Sequence, residues 1–331
     1  MIIVTGGAGF IGSALVWRLN QEGVENILIV DHLGETEKWK NLRALNFADY
    51  VEKDLFMNMI TSDIEGEDVF DDEIEAVFHL GACSSTTEKD ATYLIKNNFE
   101  YSKHLAMFVL EHDARFIYAS SAATYGDGSL GYNDDEETLE TLRPLNMYGY
   151  SKQIFDLWAK RNGLLDEIVG LKFSNVYGPN EAHKNDMRSV IHKACGQINE
   201  SGKVNLFKSH KKEYADGEQK RDFVYVKDAV DMAYFFYKHP DINGIFNVGT
   251  GKARTWNDLV KAVFDAMGKK CNIEYIDMPE SLREKYQYFT KSNMKKICEA
   301  GYSAPFSSIE DGIQDYVCNY IQKNNFLGDE E

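Results

Sequence analysis

A tyrosine, a lysine and a serine in the middle of the chain have the types and spacing that proton transfer requires. Tyr148 and Lys152 are four residues apart, so on a helix both side chains project from one face. A neighbouring ammonium group favours the phenolate form of a tyrosine, whose pKa is otherwise about 10. Ser121, at the end of a predicted strand, can orient a reacting oxygen by hydrogen bonding. The three residues predict a site that takes a proton from a hydroxyl group and returns it.

The start of the chain has the pattern of a dinucleotide-binding loop. Gly6, Gly9 and Gly12 follow a short apolar segment and open a helical pattern. In such loops the first glycine allows a tight turn, the second lets the backbone approach a pyrophosphate, and the third permits close helix–strand packing. The helix N-terminus then offers N–H groups to the phosphates. Asp31, at the end of the next predicted strand, strengthens the prediction of a dinucleotide cofactor.

The charges near Asp31 leave two cofactors open. Asp31 favours NAD, because a carboxylate can hydrogen-bond the ribose 2′-hydroxyl. Lys38 and Lys53 favour NADP, since either could neutralise a 2′-phosphate. We predict NADP, with NAD as the alternative. The small residues at 80–84 follow a predicted strand, where the nicotinamide half of the cofactor should lie.

The elements that must position these residues alternate between strand and helix. Strands are predicted at 2–4, 27–31, 75–80, 115–119 and 169–173, and helices near 11–21 and 90–111. This alternation predicts an α/β fold with a Rossmann-type, doubly wound parallel sheet. The pattern changes after residue 178, which predicts an NADP-binding domain at 1–178 and a smaller, mainly substrate-binding domain at 179–331. Some later segments are expected to return to the sheet.

Composition and charge argue against other classes of function. The chain has 331 residues and a formal net charge of −17, which disfavours binding to nucleic acid or to an anionic membrane surface. Its five cysteines are scattered, so we expect neither a disulfide framework nor a metal site. We expect a cytoplasmic location, where cysteines stay reduced. No secretory leader or membrane span is expected either. The acidic stretches 63–75 and 134–140 are predicted to be solvated surface.

Several segments make the chain resemble the extended short-chain dehydrogenases/reductases, the family of nucleotide-sugar epimerases and dehydratases. The matching segments are T-G-G-A-G-F-I-G at 5–12, S-S-A-A-T-Y-G at 120–126, Y-G-Y-S-K at 148–152, N-V-Y-G-P at 175–179, R-D-F-V-Y-V at 221–226 and F-N-V-G-T-G at 246–251. The resemblance covers nearly the full chain. It implies that Ser121, Tyr148 and Lys152 act as a unit on a sugar hydroxyl in a homo-oligomer.

Within this family, the segments at 81–88, 119–126, 146–152 and 178–184 are most similar to those of epimerases that act on an ADP-linked heptose. This implies that bound NADP transiently oxidises the sixth carbon of the heptose and re-reduces it on the opposite face, for lipopolysaccharide core synthesis. Each face needs its own proton-transfer group. By resemblance, Tyr148 serves one face and Lys184 the other.

The same resemblance implies the residues that hold the cofactor and the substrate. The implied cofactor contacts are Gly6, Gly9, Phe10, Ile11, Gly12, Asp31, His32, Lys38, Lys53, Leu80, Gly81, Ala82, Cys83, Ser84, Asn97, Lys152, Val176 and Lys184. The implied substrate contacts are Ser121, Asn175, Asp186, Lys193, Phe207, Lys208, Ser209, Arg221 and Tyr286. The planar guanidinium of Arg221 suits a diphosphate, and an ion pair with Asp222 is its alternative. His183 and His192 are expected near the site.

Three features depart from the family pattern. Asn180 stands where arginine is usual, and Asp186 stands where serine is common. The stretch 209–219 is longer than expected and carries Lys211 and Lys212, which could replace lost phosphate contacts. These departures concern contacts to the substrate rather than the chemistry.

Two other functions would share the cofactor site. A UDP-hexose 4-epimerase would use the same Tyr148 and Lys152 but would need no second base at Lys184, because its keto sugar rotates. An NADP-sensing regulator without turnover would need the fold alone. A 4,6-dehydratase is disfavoured, because residues 122–123 are alanines where that reaction places an acidic pair.

Overall fold

A computed structural model describes residues 1–62, 70, 73–283 and 286–329 of the chain. The strands in this part of the chain are β1 (Ile2–Thr5), β2 (Ile27–Asp31), β3 (Asp49–Glu52), β4 (Ala76–His79), β5 (Arg115–Ser121), β6 (Val169–Phe173), β7 (Asn175–Tyr177), β8 (Val204–Phe207), β9 (Lys220–Tyr225), β10 (Gly244–Val248), β11 (Ala253–Thr255) and β12 (Ile273–Ile276). The predicted apolar strands are found within one or two residues of their expected bounds.

Seven of these strands form a parallel sheet in the order β10-β6-β5-β4-β1-β2-β3. The chain winds outward from β1 to β3, then crosses back to β4 and winds the other way to β10. Thr5, at the end of β1, lies opposite Val30 of β2 on one side and His79 of β4 on the other. In such sheets ligands bind outside the carboxyl ends of the strands at the reversal. The predicted Rossmann-type α/β fold is confirmed.

Helices cover both faces of this sheet. The α-helices among the described residues are α1 (Phe10–Gln21), α2 (Lys53–Thr61), α3 (Ala91–Leu94), α4 (Tyr101–Glu111), α5 (Met147–Arg161), α6 (Val190–Ser201), α7 (Val226–Lys238), α8 (Trp256–Ala266), α9 (Glu280–Arg283), α10 (Lys295–Glu299) and α11 (Ile309–Asp315). A π-helical turn, Ile95–Glu100, joins α3 to α4, and another, Tyr316–Ile321, extends α11. The 3-10 turns are Glu37–Leu42, Ala122–Tyr125, Glu136–Thr141, Leu164–Asp166 and Ala182–Met187. None of the helices described here has both the length and the apolar character of a membrane span.

The buried apolar side chains form two clusters, one on each face of the sheet. Successive side chains of a strand point to opposite faces, so Val4 belongs to one cluster and Ile3 to the other. Leu15 of α1 packs in the first cluster and Leu105 of α4 in the second. A sheet that is covered on both faces explains why its strands are continuously apolar.

The later part of the chain adds smaller sheets around the carboxyl edge. Strands β11, β9 and β7 form a three-stranded sheet, and β12 pairs with β8. Strand β10 instead pairs in parallel with β6 and becomes the edge of the main sheet. A segment from beyond residue 178 therefore completes that sheet, and the domain boundary at 178 stays a prediction.

The stretch 134–140 is not solvated surface throughout, so that prediction was wrong. Asp134 is buried and accepts a hydrogen bond from a β10 N–H at 2.8 Å; burial raises the pKa of its carboxyl. Glu136 accepts from another β10 N–H at 3.0 Å and lies 2.7 Å from Lys296. An edge strand has backbone N–H groups that need partners, and these carboxylates supply them. The stretch 63–75 lies largely outside the described residues.

Candidate active site

The loop between β1 and α1 has the backbone geometry of a phosphate-binding turn. Gly6 has a φ of +70°, a left-handed conformation that favours glycine. A Cβ on Gly12 would lie 2.0 Å from the Gly6 carbonyl oxygen, so only glycine fits where α1 starts. Gly9 is the N-cap of α1 and supplies no side-chain cap. The first turn of α1 therefore presents backbone N–H groups and a positive dipole end at this edge.

Asp31, at the carboxyl end of β2, is bound to the glycine loop. Its carboxylate accepts hydrogen bonds from the Ala8 N–H at 2.9 Å and from the His32 N–H at 2.6 Å. The ammonium group of Lys38 also pairs with it. Lys38 Cε lies 3.9 Å from the position that a Cβ on Gly9 would take. Lys38 therefore lies between the acid and the glycine loop, where it can meet an anionic group held by that loop.

His32 and Lys53, two further predicted cofactor contacts, lie beside acidic side chains. His32 Nδ1 is 2.8 Å from Glu52, and Lys53 Nζ is 2.7 Å from Asp54. Lys53 also donates to Oδ1 of Asn97 at 3.4 Å. The side chains of Lys53 and Asn97, which were predicted from separate segments, therefore meet at one edge of the sheet.

The small residues after β4 pack against the glycine loop. The Gly81 N–H donates to Thr5 Oγ1 at 3.2 Å. Cys83 is held at both backbone groups by Asn98: its N–H donates to Oδ1 at 2.8 Å, and its carbonyl accepts from Nδ2 at 2.9 Å. Asn98 was missed by the sequence analysis. It lies in the π-helical turn between α3 and α4, and such a turn breaks the periodicity on which helix prediction depends.

Ser121, Tyr148 and Lys152 meet at the carboxyl end of β5, where α5 packs on the sheet. The hydroxyl of Ser121 is hydrogen-bonded to the phenol of Tyr148. Lys152 Nζ donates to the Ala119 carbonyl oxygen at 2.8 Å. Helix α5 begins just before Tyr148 because the Asn146 side chain caps its first turn. The three predicted catalytic side chains therefore form one cluster.

Burial shifts the pKa of both titratable groups in this cluster. It raises the pKa of Tyr148, and the hydrogen bond with Ser121 acts in the opposite direction. Burial lowers the pKa of Lys152 to about 8, although the negative charge of Asp156 opposes this. Lys152 is thus mostly charged at neutral pH, and its stabilisation of a Tyr148 phenolate stays a prediction.

A buried ion pair fixes β5 against α5. Asp156 of α5 accepts hydrogen bonds from the hydroxyls of Tyr118 and Ser120 on β5, at 2.9 and 2.8 Å. Lys172 Nζ lies 2.7 Å from the same carboxylate and donates to Thr124 Oγ1 at 2.7 Å. All five side chains are buried. Because the members satisfy one another, the network fixes β5, which ends at Ser121, against α5, which carries Tyr148 and Lys152.

Lys184 reaches this region from the 3-10 turn Ala182–Met187. Its Nζ lies 5.3 Å from the ring centre of Phe10, in the first turn of α1. Burial lowers the pKa of Lys184, and the nearby Glu181 carboxylate opposes this. A lowered pKa lets an amine exchange protons more readily near neutral pH.

The side chain of Asn41 connects the glycine loop to the segment that carries Lys184. Its Nδ2 donates to the carbonyl oxygens of Ala8 at 2.9 Å and of Asn180 at 3.0 Å. The same atom is 3.2 Å from Nδ1 of His183. Burial lowers the pKa of His183 to about 4, so its ring is neutral at neutral pH. Asn41 was not predicted from the sequence, because only the fold brings it to these partners.

Three of the four predicted catalytic residues, Ser121, Tyr148 and Lys184, line one cavity of about 530 Å³, which we call the catalytic cavity; Lys152 is not part of its wall. This volume is typical of small-molecule sites. The predicted residues that line it are Phe10, Ile11, Ser84, Ser121, Tyr148, Asn175, Val176, Lys184, Arg221 and Tyr286. Lining side chains that were not predicted include Thr86, Asn146, Arg188, Trp256 and Gln287. Within the described part of the chain, no aspartate or glutamate lines this cavity.

Arg221 forms one wall of the catalytic cavity. Its guanidinium lies 5.2 Å from the ring centre of Tyr286 and 5.7 Å from that of Trp256. Its NH1 donates to the Lys220 carbonyl oxygen at 2.9 Å, and burial lowers its pKa. Asp222, the alternative partner, accepts hydrogen bonds from backbone N–H groups instead. A cation held between two rings is suited to an anionic ligand.

Comparison with known proteins identifies the family. Residues 2–249 match the model of the NAD dependent epimerase/dehydratase family. The chain belongs to this family. An ADP-L-glycero-D-manno-heptose-6-epimerase from Nitratidesulfovibrio vulgaris (strain DP4) is 58% identical, and the match covers 97% of this chain and 98% of the relative. Its counterpart in Fusobacterium nucleatum subsp. nucleatum is 49% identical, with 98% and 99% covered.

Solved structures of this family have the same fold. The crystal structure of the Helicobacter pylori ADP-L-glycero-D-manno-heptose-6-epimerase is 26% identical, with a TM-score of 0.78, and covers 96% of this chain and 95% of its own. The Thermotoga maritima UDP-glucose 4-epimerase with UDP-glucose is 26% identical, with a TM-score of 0.76 and coverage of 98% and 99%. The fold therefore does not separate the two substrate classes.

Five of the predicted substrate contacts do not line the catalytic cavity. The predicted residues that do not line it are Asp186, Lys193, Phe207, Lys208 and Ser209. Lys193 Nζ donates to the Asp186 carbonyl oxygen at 2.6 Å, and Lys208 Nζ is 3.2 Å from Asp277. Their contacts with a substrate stay predictions.

The lysines of the 209–219 stretch also lie outside the cavity wall. Lys211 Nζ lies 4.8 Å from the ring centre of Tyr288, and Lys212 is exposed. The Ser209 N–H donates to the Asp216 carboxylate at 2.7 Å, which folds the stretch back on itself. A phosphate contact from these lysines likewise stays a prediction.

Proposed function

We propose that this chain converts ADP-D-glycero-β-D-manno-heptose into its L-glycero epimer by inverting the sixth carbon of the heptose. Relatives that are 58% and 49% identical over nearly their full length are ADP-L-glycero-D-manno-heptose-6-epimerases. The observation that carries the proposal is that Tyr148 and Lys184 border one cavity, so that two proton-transfer groups can serve one carbon. The product would supply lipopolysaccharide core synthesis.

On the first face, Tyr148 takes the proton of the hydroxyl on the sixth carbon. Ser121 orients the oxygen, and the Lys152 ammonium stabilises the phenolate from which Tyr148 acts. A nicotinamide cofactor held by the glycine loop would supply the hydride acceptor for that carbon and the hydride donor for its re-reduction. Loss of one proton and one hydride turns the alcohol into a carbonyl group.

On the second face, Lys184 supplies the proton. The carbonyl group turns its opposite face to the site, and Lys184 protonates the oxygen as the hydride returns. In the reverse direction the neutral amine acts as the base. Burial of Lys184 supports this role, because an ordinary exposed lysine is fully protonated near neutral pH and makes a poor base.

We propose NADP as the cofactor. The glycine loop fits a dinucleotide, since a Cβ at Gly12 would fill the turn. Lys38 supports NADP, because its pairing with Asp31 weakens the carboxylate that would otherwise select a 2′-hydroxyl. Denaturing the purified protein and identifying the released nucleotide by mass spectrometry tests this; released NAD would contradict it.

The charges of the catalytic cavity support a nucleotide-sugar substrate. Its cationic lining side chains are Lys184, Arg188 and Arg221, and no acidic residue of the described chain lies among the lining. The whole protein has a net charge of −17, so this local excess of cations runs against its overall charge. A cavity with this charge favours a ligand that carries a diphosphate.

The deciding experiment incubates the purified protein, without added cofactor, with ADP-D-glycero-β-D-manno-heptose and follows the L-glycero epimer by NMR. UDP-galactose is run in parallel. Conversion of the heptose alone is expected, and it requires a retained cofactor. Conversion of UDP-galactose alone would favour a UDP-hexose 4-epimerase and remove the role of Lys184. If neither sugar reacts even with added NADP, a non-catalytic NADP-sensing regulator becomes the better reading.

We also propose a cytoplasmic homo-oligomer that binds neither nucleic acid nor membrane. A cytoplasmic site agrees with a nucleotide-sugar substrate. Light scattering coupled to gel filtration measures the assembly, and a monomer at micromolar concentration would contradict this proposal.

A further inference from the structure

Arg188 is a cationic side chain of the catalytic cavity that the mechanism leaves without a role. It follows the 3-10 turn Ala182–Met187 and precedes the N-cap of α6, Ser189. Of the three cations in the cavity wall, Lys184 serves proton transfer and Arg221 is held between two rings. Arg188 is thus the remaining positive charge.

One carbonyl oxygen fixes the near end of the Arg188 side chain. Its backbone N–H donates to the Asn185 carbonyl oxygen at 3.2 Å, and its Nε donates to the same oxygen at 2.7 Å. Asn185 has a φ of +48° and a ψ of −121°, a backbone conformation that turns this carbonyl toward Arg188. Nε is therefore occupied, and the two terminal nitrogens of the guanidinium are left for another partner.

No acidic side chain of the described residues forms an ion pair with Arg188. Asp186, two residues before Arg188 in sequence, is exposed and is not paired with it. The carboxylate of Glu181 is already bound by the N–H and hydroxyl of Ser189, at 2.6 and 2.5 Å. The positive charge of Arg188 lowers the pKa of His192, after the larger effect of burial. An arginine without a carboxylate, in a cavity without carboxylates, suits an anion that arrives with the ligand.

We propose that Arg188 binds the diphosphate of the substrate as a second guanidinium, together with Arg221. This rests on the proposed function, in which the ligand is an ADP-sugar. A diphosphate presents several anionic oxygens, and each planar guanidinium can bind two oxygens at once. Arg188 lies four residues after Lys184, so the group that binds the diphosphate and the group that protonates the sugar belong to one short segment. Substrate binding would thereby orient that segment.

The test measures ADP binding by isothermal titration calorimetry to holoenzyme saturated with NADP, so that ADP cannot enter the cofactor site. R188A is expected to weaken ADP binding at least about tenfold, the range of a lost charge-assisted hydrogen bond. R188K should recover part of the loss. Adenosine, which has no phosphate, should bind wild type and R188A equally. In turnover, KM should rise while kcat changes little, because binding common to ground state and transition state is lost.

A charge-matched control is R161A, which removes one arginine paired with Glu140 outside the catalytic cavity. It should bind ADP as wild type does. If R188A binds ADP within twofold of wild type, the proposed role of Arg188 is refuted, while the proposed function is unaffected. Equal losses for ADP and adenosine would refute it too, since they would show a structural effect. If wild-type holoenzyme binds no ADP at all, both this inference and the ADP-sugar substrate fail.

Discussion

The two proton-transfer groups of the proposed site are positioned in different ways. Tyr148 lies on the regular helix α5, beside the end of β5, and its neighbours Ser121 and Lys152 are close in the fold because strand and helix pack directly. Lys184 lies in a short 3-10 turn inside an irregular segment, residues 178–189, which we call the Lys184 loop. Regular packing holds the first group, and the second depends on side chains from distant parts of the chain.

Asn180 shows how the Lys184 loop is held. Its φ is +72°, and its side chain is buried. Nδ2 donates to Ser13 Oγ in α1 at 3.0 Å, and Oδ1 accepts from the Leu327 N–H near the C-terminus at 3.0 Å. Its carbonyl oxygen accepts from Asn41. One asparagine thus connects three remote segments.

A short motif therefore specifies a site only where regular elements carry it. The spacing of Tyr148 and Lys152 is local, because one helical turn sets it. The partners of Asn180 are 139 to 167 residues away in sequence, so no local pattern contains them. The following predictions test this contrast.

The largest effect is expected at Tyr148. Tyr148→Phe should lower epimerisation by more than ~100-fold, because it removes the acid/base of one face, while the cofactor stays bound. NMR turnover and cofactor content measure the two effects. Tyr150→Phe is the matched control, since Tyr150 is exposed on the same helix. If Tyr148→Phe turns over as fast as wild type, Tyr148 is not an acid/base of the reaction.

Lys184→Met should lower epimerisation by about 100-fold, the lower end of acid/base catalysis, and should impair oxidation of one epimer but not of the other. Each epimer gives its proton to a different base, so single-turnover reduction of the bound cofactor should be lost with one epimer and retained with the other. Absorbance of the reduced cofactor measures this. Lys261→Met, at an exposed lysine of α8 that does not line the catalytic cavity, should behave as wild type. Equal loss with both epimers, or loss of bound cofactor, would indicate a structural lysine.

Asn180 separates backbone from side-chain effects in the Lys184 loop. Asn180→Gly keeps the left-handed backbone but removes the amide, and it should destabilise the fold by about 1–3 kcal/mol because the buried Ser13 and Leu327 partners lose a bond. Asn180→Ala should cost about 1 kcal/mol more, since alanine disfavours a positive φ. Urea unfolding measures both.

The control for this pair is Asn324→Ala, at an exposed asparagine with a φ of +54°, which should show the backbone cost alone. Epimerisation by Asn180→Gly should fall more than its cofactor binding does. If Asn180→Gly has the same free energy of unfolding in urea as wild type, the Asn180 side chain does not hold the Lys184 loop.

The last prediction concerns pH and the regular region. His79 is buried, bound to Thr5 Oγ1 at 2.7 Å and to Ser102 Oγ at 2.8 Å, and burial lowers its pKa from 6.5 to about 3. Above pH 6.5 the neutral His79 makes its full contribution to the free energy of unfolding. As pH falls from 6.5 toward 3, the unfolded chain takes up a proton that the folded chain refuses, so stability should fall by about 1 kcal/mol per pH unit.

Because other groups also titrate in this range, the difference between wild type and His79→Gln is the measured quantity. The variant should show a shallower loss of stability between pH 6 and pH 4 in urea unfolding. His239→Gln, at an exposed histidine, is the control and should follow wild type. Parallel pH profiles for wild type and His79→Gln would contradict a neutral buried His79.

Much of the fold was predictable because its signals are local. Apolar strands that alternate with helices predict a parallel sheet, and Gly6 and Gly12 have the conformation and crowding that their spacing indicated. The predictions of the α/β fold and of the epimerase family are confirmed. The prediction for 134–140 failed because a run of acids looks solvated in sequence, whereas Asp134 is a partner for a strand edge that only the fold creates.

The glycine loop and the tyrosine–lysine pair could be found from the sequence, since each depends on residues within one turn or one helix. Other features became visible only in the tertiary structure. Asn98 holds the backbone of Cys83, and Asn41 joins the glycine loop to the Lys184 loop. The cations that share the catalytic cavity also come from separate segments. Lys208, predicted beside the substrate, lies outside the cavity wall, and Arg188, not predicted, lies within it. The physical reason is distance along the chain: local geometry follows from backbone periodicity, whereas contacts between remote segments exist only after the sheet and its helices have packed.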